Sequence, residues 1–164
     1  MAQTSATVDA TPAGAVLIVP MTIAQTAPLH FGSITLLATT AAGTVTLASN
    51  SNTRTFSAGV VAAGVISDPA TNAAYDVTGT YNETYALTLP PADITLTEVG
   101  GTNAATMTVT AFTARFNGAS ADATTSTLSD TGTDDFTLGA TLNLAIGQTG
   151  GVYAGTFPVT VDYN

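Results

Sequence analysis

Residues 151–164 read GVYAGTFPVTVDYN, and this stretch decides the fold class. Its odd positions carry the large apolar side chains Tyr153, Phe157, Val159, Val161 and Tyr163, and most of the intervening positions are small or polar. Successive side chains of a β-strand point to opposite faces. The stretch therefore predicts one half-buried strand of about twelve residues.

The same alternation recurs along the chain in short runs that are separated by Gly, Asn, Asp and Pro clusters. This is the pattern of an antiparallel β-sandwich, and no run has the period of a long helix. The pattern also predicts a hairpin around Gly79–Glu83, a turn at Asn117–Gly118 and a long surface loop over 118–135. The predicted strands are 15–24, 29–37, 43–48, 54–61, 74–79, 84–89, 93–98, 105–116, 135–146 and 152–163.

The composition excludes several classes of function. The chain has 164 residues, a formal net charge of -9, two basic residues and no cysteine. Nucleic acids and anionic membranes bind clustered Lys and Arg, which are missing here. Disulfides, thiolate metal sites and cysteine nucleophiles are excluded as well. The longest apolar stretch, 13–21, is too short to cross a bilayer, so no membrane insertion is expected.

The terminal stretch also resembles the last strand of subunits of chaperone-usher pili. Those subunits end in an alternating strand with a penultimate aromatic residue and a glycine fourteen positions from the end, which correspond to Tyr163 and Gly151. The resemblance implies an immunoglobulin-like sandwich that lacks one strand, which a neighbouring subunit donates. It also implies a periplasmic chaperone and an outer-membrane usher as partners before assembly.

A broader resemblance covers most of the chain. The segments 29–34 (LHFGSI), 77–90 (VTGTYNETYALTLP) and 153–163 (YAGTFPVTVDY) are similar to an exported bacterial family catalogued as domain of unknown function 4402. That family is regarded as pilin-like. The resemblance implies a fold and a cell-surface location, and it brings no catalytic residues.

The N-terminal stretch predicts the donor. Small residues alternate with Ser, Thr and Asp over 4–12, which is typical of a strand that has no neighbour in sequence to pair with. We therefore expect residues 1–14 to be an extension and 15–164 to be the sandwich domain. The extension inserts into the next subunit by strand addition. The face expected to insert consists of Thr4, Ala6, Val8, Ala10 and Pro12.

The acceptor groove is expected along the terminal strand, facing a buried strand at Ala15–Val19 that is apolar on both sides. Deleting residues 2–12 should then leave a folded domain that cannot polymerise. The alternative for residues 4–12 is a frayed leader or the first strand of the sandwich itself. The expected groove residues are Leu17, Val19, Gly151, Tyr153, Gly155, Phe157, Val159, Val161 and Tyr163.

Candidate chemistry is sparse. His30 is the only histidine and lies between Leu29 and Phe31, which favours a structural role. Asp130, Asp134 and Asp135 are a weak calcium candidate, because they lack the full ligand spacing of a calcium loop. No nucleophile or acid–base set is recognisable, so we expect neither an enzyme nor a cofactor.

The sequence thus predicts an all-β structural subunit of an extracellular bacterial fibre, a head-to-tail homopolymer with a role in adhesion or biofilm. We expect export through the periplasm, with a signal peptide removed and Met1 not native. Two alternatives stay open. One is a monomeric adhesive or carbohydrate-binding surface module, and the other is a coat, tail or capsid-associated structural protein with a similar sandwich.

Overall fold

The computed structural model describes residues 10–37, 41–57, 59–64, 68–101 and 104–164. Within these ranges the protein is all-β, as predicted, and every strand pairing is antiparallel. The strands are β1 Thr22–Ala27, β2 Ile34–Leu36, β3 Gly43–Leu47, β4 Arg54–Phe56, β5 Val60–Ala62, β6 Ala73–Thr78, β7 Thr84–Thr88, β8 Ile94–Val99, β9 Thr106–Phe116, β10 Thr125–Thr127, β11 Thr133–Leu144, β12 Val152–Ala154 and β13 Thr160–Tyr163.

One large sheet forms the first layer. It has eight strands and runs in the order β1-β6-β11-β9-β8-β12, with β3 pairing β11 and β4 pairing β3. Two smaller sheets form the second layer, namely β10-β7-β13 and β2-β5. The arrangement is sandwich-like, and the two small sheets cover the large sheet to different extents.

Strand β11 is the axis of the large sheet. Its first half pairs with β6 and its second half with β3, while β9 runs along its other edge. The β9–β11 register shifts between Gly139 and Thr141, and Ala111 on β9 has a φ of 51°. A bulge of this kind bends and twists the strand pair. The bend divides the inner face of the sheet into two halves.

Each half carries its own hydrophobic core. The closed core is covered by the sheet β10-β7-β13, and the open core is covered by the two short strands β2 and β5. The closed core contains Ala73, Tyr75, Val77, Tyr85, Leu87, Ala114, Phe116, Leu128, Phe136 and Leu138. The open core contains Phe31, Val45, Leu47, Val60, Ala70, Val109, Ala140, Leu142 and Leu144.

The predicted strand positions agree best for the long central strands, and three predictions about connections are wrong. The turn at Gly79–Glu83 exists, but it does not close a hairpin, because β6 and β7 lie in different sheets. The predicted loop 118–135 contains β10 and the buried Leu128. The predicted strand 54–61 is divided into β4 and β5. The predicted turn at Asn117–Gly118 is confirmed by the Ala119 N–H donating to the Phe116 carbonyl at 3.0 Å.

The terminal strand is also divided. The predicted alternation is confirmed, since Tyr153, Phe157, Val159, Val161 and Tyr163 are half-buried and the residues between them are exposed. However, β12 pairs with β8 in the large sheet and β13 pairs with β7 in the second layer. The chain changes layers over 155–159, a segment that contains a proline without an N–H for a ladder.

The predicted strand 15–24 is wrong in its first part. Residues 15–21 form no strand, and β1 begins only at Thr22. Leu17 and Val19, expected in a buried strand, are 84% and 49% exposed. Apolar side chains on both faces favour burial, but the described chain offers this segment no sheet edge and no covering layer.

Candidate functional site

An exposed apolar segment precedes the first strand. Val16 is 89% exposed and Ile18 is 60% exposed, and their neighbours Leu17 and Val19 are exposed as well. No charged residue occurs over 10–21. A contiguous apolar stretch in water is uncommon on a monomeric protein and marks a surface that another molecule covers. We call residues 10–21 the N-terminal arm.

The arm is fastened to the domain at Val19. The Val19 N–H donates to Oγ1 of Thr80 at 2.6 Å, and the Tyr163 hydroxyl donates to the Val19 carbonyl at 2.7 Å. The same hydroxyl accepts the Thr80 N–H at 2.6 Å. These three residues form a clamp that fixes where the arm leaves the domain, next to the end of β13.

A cleft opens beside the open core. Its volume is about 660 Å³, which lies within the range of about 300–1,000 Å³ that is usual for ligand pockets. The inner face of the large sheet forms its floor, with Ile94 and Leu96 from β8, Met107 and Val109 from β9, and Leu142 and Leu144 from β11. One wall is the chain from Leu29 to Leu36, and the other is the chain from Gln148 to Phe157.

Both walls contain backbone groups that form no ladder with a described strand. Ser33 and Leu37 form backbone hydrogen bonds with the β5 side, to Ala63 and Gly59. Alternate residues of an antiparallel strand bond to opposite sides, so Ile34 and Leu36 direct their backbone groups away from β5. In the part of the chain that the structure describes, no strand pairs with that edge of β2, and none pairs with 155–159.

The clamp and the cleft are separated by the length of β1. Strand β1 begins at Thr22 near the clamp and leads to Leu29 in the cleft wall. Its six residues span about 20 Å at roughly 3.3 Å per residue. The C-terminal chain covers the same distance in reverse, from Gly155 at the cleft to Tyr163 at the clamp.

The structure brings part of the predicted groove together. Gly151, Tyr153, Gly155 and Phe157 line the cleft. Val159, Val161 and Tyr163 instead pack against the closed core. Leu17 and Val19 lie in the arm, outside the cleft. Of the predicted donor residues, Ala10 and Pro12 are exposed and outside any strand, and Thr4, Ala6 and Val8 lie outside the described residues.

Sequence reasoning missed the other wall and the floor of the cleft. The wall had been predicted as an ordinary strand at 29–37, although only Ile34–Leu36 form one, with His30 bridging Thr71. Ile34 and Leu36 are half-buried around the exposed Thr35. That alternation was a readable signal that one face of this short strand lies on a core, but it does not reveal that the core is open.

The three aspartates of the calcium candidate do not share a common hydrogen-bond partner or ligand position. Asp134 Oδ2 accepts hydrogen bonds from the Tyr85 hydroxyl at 2.9 Å and from Ser126 at 2.6 Å. Asp135 accepts from the Asn117 amide at 2.9 Å. Asp130 is exposed on a turn. Over the described ranges, no three such side chains are arranged to hold a metal ion.

The remaining titratable groups near the cores make contacts that stabilise the fold. Burial raises the pKa of Tyr85 far above its usual value, and the neighbouring Asp134 raises it further. A hydrogen bond from the Ser49 hydroxyl lowers the pKa of Asp122, which also pairs with Arg115 at 2.8 Å. His30 lies 3.4 Å from Asp68, with both side chains about half exposed. None of these groups converges with another on one reactive point.

The chain was also compared with known protein families, curated proteins and solved structures. None of the described residues forms a helix long and apolar enough to cross a membrane. The model of the family described as Domain of unknown function (DUF4402) matches residues 21–163. No curated protein and no solved structure matches the chain significantly.

Proposed function

The chain belongs to the family described as Domain of unknown function (DUF4402), and for this member we propose the role of a structural subunit in an extracellular bacterial fibre. The subunits polymerise head to tail, each inserting its N-terminal segment into the next as a donated strand. The fibre serves adhesion or biofilm formation. Export through the periplasm with a chaperone and an usher fits this role.

The observation that carries the proposal is the N-terminal arm. Four consecutive apolar side chains, Val16 to Val19, are 49–89% exposed at the end of a clamped segment. Fully burying a side chain of this size contributes about 1.5–3 kcal/mol. Because an inserted strand buries alternate side chains, two of the four contribute roughly 3–6 kcal/mol. Ordering the backbone of the four residues costs roughly 4–8 kcal/mol, which is comparable. Insertion is therefore favourable where the acceptor also gains from being covered.

The geometry supports a polymer over a closed dimer. A two-fold dimer uses the same patch on both partners, whereas an arm and a separate receptive surface make a heterologous contact. Heterologous contacts that do not close into a ring produce filaments. The separation of the clamp from the cleft by the length of β1 fits this second type.

The test compares the full chain with a variant that lacks residues 2–18 and keeps the Val19 clamp. We expect the full chain to give a ladder on an unboiled detergent gel and filaments by electron microscopy. The truncated variant should run as one band while keeping a cooperative melting transition. A full chain that stays monomeric would contradict the proposal and favour the surface-module alternative, and a closed shell would favour the coat alternative.

A further inference from the structure

We infer that the cleft between β2 and Gly150–Phe157 is the acceptor for the arm of a second copy, and that Ala15–Ile18 is the part that inserts, while Val19 stays clamped to its own domain. The inference rests on the proposed function and names its site. It replaces the expected donor 4–12 by a segment about eight residues further along the chain, and it moves the groove from the whole terminal strand to the half of it that precedes Phe157.

The chemistry of the two surfaces matches. The cleft floor consists of aliphatic and Met side chains from three neighbouring strands of the large sheet. Ala15–Val19 has no charged or hydrogen-bonding side chain, and it is the most apolar exposed stretch of the described chain. A cleft of about 660 Å³ needs large side chains to fill it. Residues 4–12 contain no Leu, Ile, Met or aromatic residue, which favours the arm residues that precede Val19.

The backbone requirements match as well. An inserted strand needs hydrogen-bond partners on its edges, since buried amides without partners are costly. Ile34 and Leu36 line the cleft and direct their backbone groups away from β5, and 155–159 forms no ladder with any described strand. The four residues Ala15–Ile18 span about 13 Å, which is enough to lie along the three residues of β2.

The arm cannot reach its own cleft while the clamp holds. Ala15 is four residues from Val19, a distance of at most about 14 Å in extended chain, and β1 alone separates the clamp from the cleft by about 20 Å. The occupant therefore comes from a second copy. Because each copy offers both an arm and a separate cleft, the contact repeats along a line.

A strand inserted over the floor buries alternate side chains. This predicts an asymmetry between two double variants, Ala15→Asp with Leu17→Asp and Val16→Asp with Ile18→Asp. We expect one pair to reduce assembly at least about tenfold, because a buried unpaired carboxylate is strongly unfavourable, and the other pair to change it less than about threefold. Equal assembly by both variants and the unaltered chain would overturn the assignment.

A second experiment locates the acceptor, using the absence of cysteine in the chain. Cysteine is placed in the arm at Leu17 or Ile18 and in β2 at Ile34 or Leu36, and assembled material is oxidised. A disulfide forms only when the two Cα atoms come within about 7 Å. We expect a reducible ladder from at least one of these four combinations.

Two matched controls separate the possible outcomes. Val8→Cys with Leu36→Cys tests the earlier donor segment, and Leu17→Cys with Val99→Cys tests an exposed position on β8 outside the cleft lining. Filaments without any arm-to-β2 crosslink, or with a crosslink from Val8 alone, would overturn this inference and leave the fibre proposal intact. Failure of the unaltered chain to assemble would overturn both.

Discussion

The closed and open cores are built from the same large sheet, yet they are finished differently. Strand β11 contributes Phe136 and Leu138 to the first and Ala140, Leu142 and Leu144 to the second. Three strands cover the closed core, and stacked and edge-to-face rings fill it, with Tyr75 and Phe136 centroids 5.1 Å apart. Two three-residue strands cover the open core and leave a cleft. The comparison teaches that the inner face of one sheet can be fully covered by a second layer over one half and only partly covered over the other.

The largest expected effect comes from cutting into each core in the monomeric variant that lacks residues 2–18. Phe136→Ala should lower the free energy of unfolding by about 3–5 kcal/mol, because it leaves a cavity that the packed surroundings cannot fill. Leu96→Ala, on the half-buried cleft floor, should cost only about 1 kcal/mol, because it removes less buried area and opens no new cavity. Urea unfolding measures the loss in free energy of unfolding for both variants. Equal losses would show that the two cores do not differ in how completely they are packed.

The next effect should appear when the open core is covered. A peptide of residues 10–20 at about a hundred times its Kd should raise the stability of the truncated variant by about 2.7 kcal/mol. For a domain of this size the melting temperature should then rise by roughly 5–10 °C. The same peptide with aspartate at positions 16 and 17 is the control. A rise with the control peptide as well would show that the cleft binds without regard to apolar character.

Two tyrosines provide a matched pair of smaller substitutions, one in each region. Tyr163→Phe removes the hydroxyl that joins Val19 and Thr80, so we expect a loss of about 1–3 kcal/mol from the unpaired Thr80 N–H. Tyr153→Phe removes a hydroxyl that donates to the Thr149 carbonyl at 2.6 Å in an exposed loop at the cleft. Water replaces that partner, and the expected cost is about 0.5 kcal/mol or less. Thermal unfolding at one pH compares the two directly.

The smallest expected effect concerns the hydrogen bonds that Asp122 accepts. Asp122 accepts hydrogen bonds from Ser49 and from Arg115, and the Ser49 hydroxyl is the main cause of its lowered pKa. A lowered pKa in the folded state adds stability above the unfolded value of about 3.9, and this stability is lost as the pH falls through the folded value. Asp122→Asn should cost less than about 1 kcal/mol at pH 7, since the pair is partly exposed.

The pH dependence is the control for that substitution. Because the aspartate becomes protonated in acid, the difference in unfolding free energy between the two proteins should shrink as the pH falls below about 4. Denaturant melts between pH 7 and pH 2.5 measure this. A difference that stays constant over the range would show that the charge of Asp122 does not contribute to the free energy of unfolding.

Local pattern was enough to predict the long strands. Strand β11 carries regular alternation, and β9 carries alternation that changes phase at the bulge beside Ala111. The positions of both strands are predicted to within about two residues. Pairing partners were harder, because they depend on distant contacts. The turn at Gly79–Glu83 has local turn chemistry, with Asn82 at a φ of 58°, yet it joins two layers instead of closing a hairpin.

The candidate site was predicted only in part, for a physical reason. The hydrophobicity of Ala15–Val19 predicts a buried strand, whereas the structure leaves these side chains exposed. A single sequence does not state what such a segment packs against. In the terminal stretch, alternation fixed which side chains face inward and could not reveal that 155–159 changes layers. Within the described residues, the cleft is the part of the open core that the short strands β2 and β5 leave uncovered, and no local pattern predicts how far those strands extend.

The clamp at Val19 determines how a mechanical load would enter the domain. Tension on the arm passes first to the Thr80 and Tyr163 hydrogen bonds and then along β1, which forms five residue pairs with β6. Pulling along a strand strains several ladder bonds at once, whereas pulling across it opens them one after another. The same residues that set where the arm leaves therefore direct force into shear, the geometry in which a β-ladder resists best.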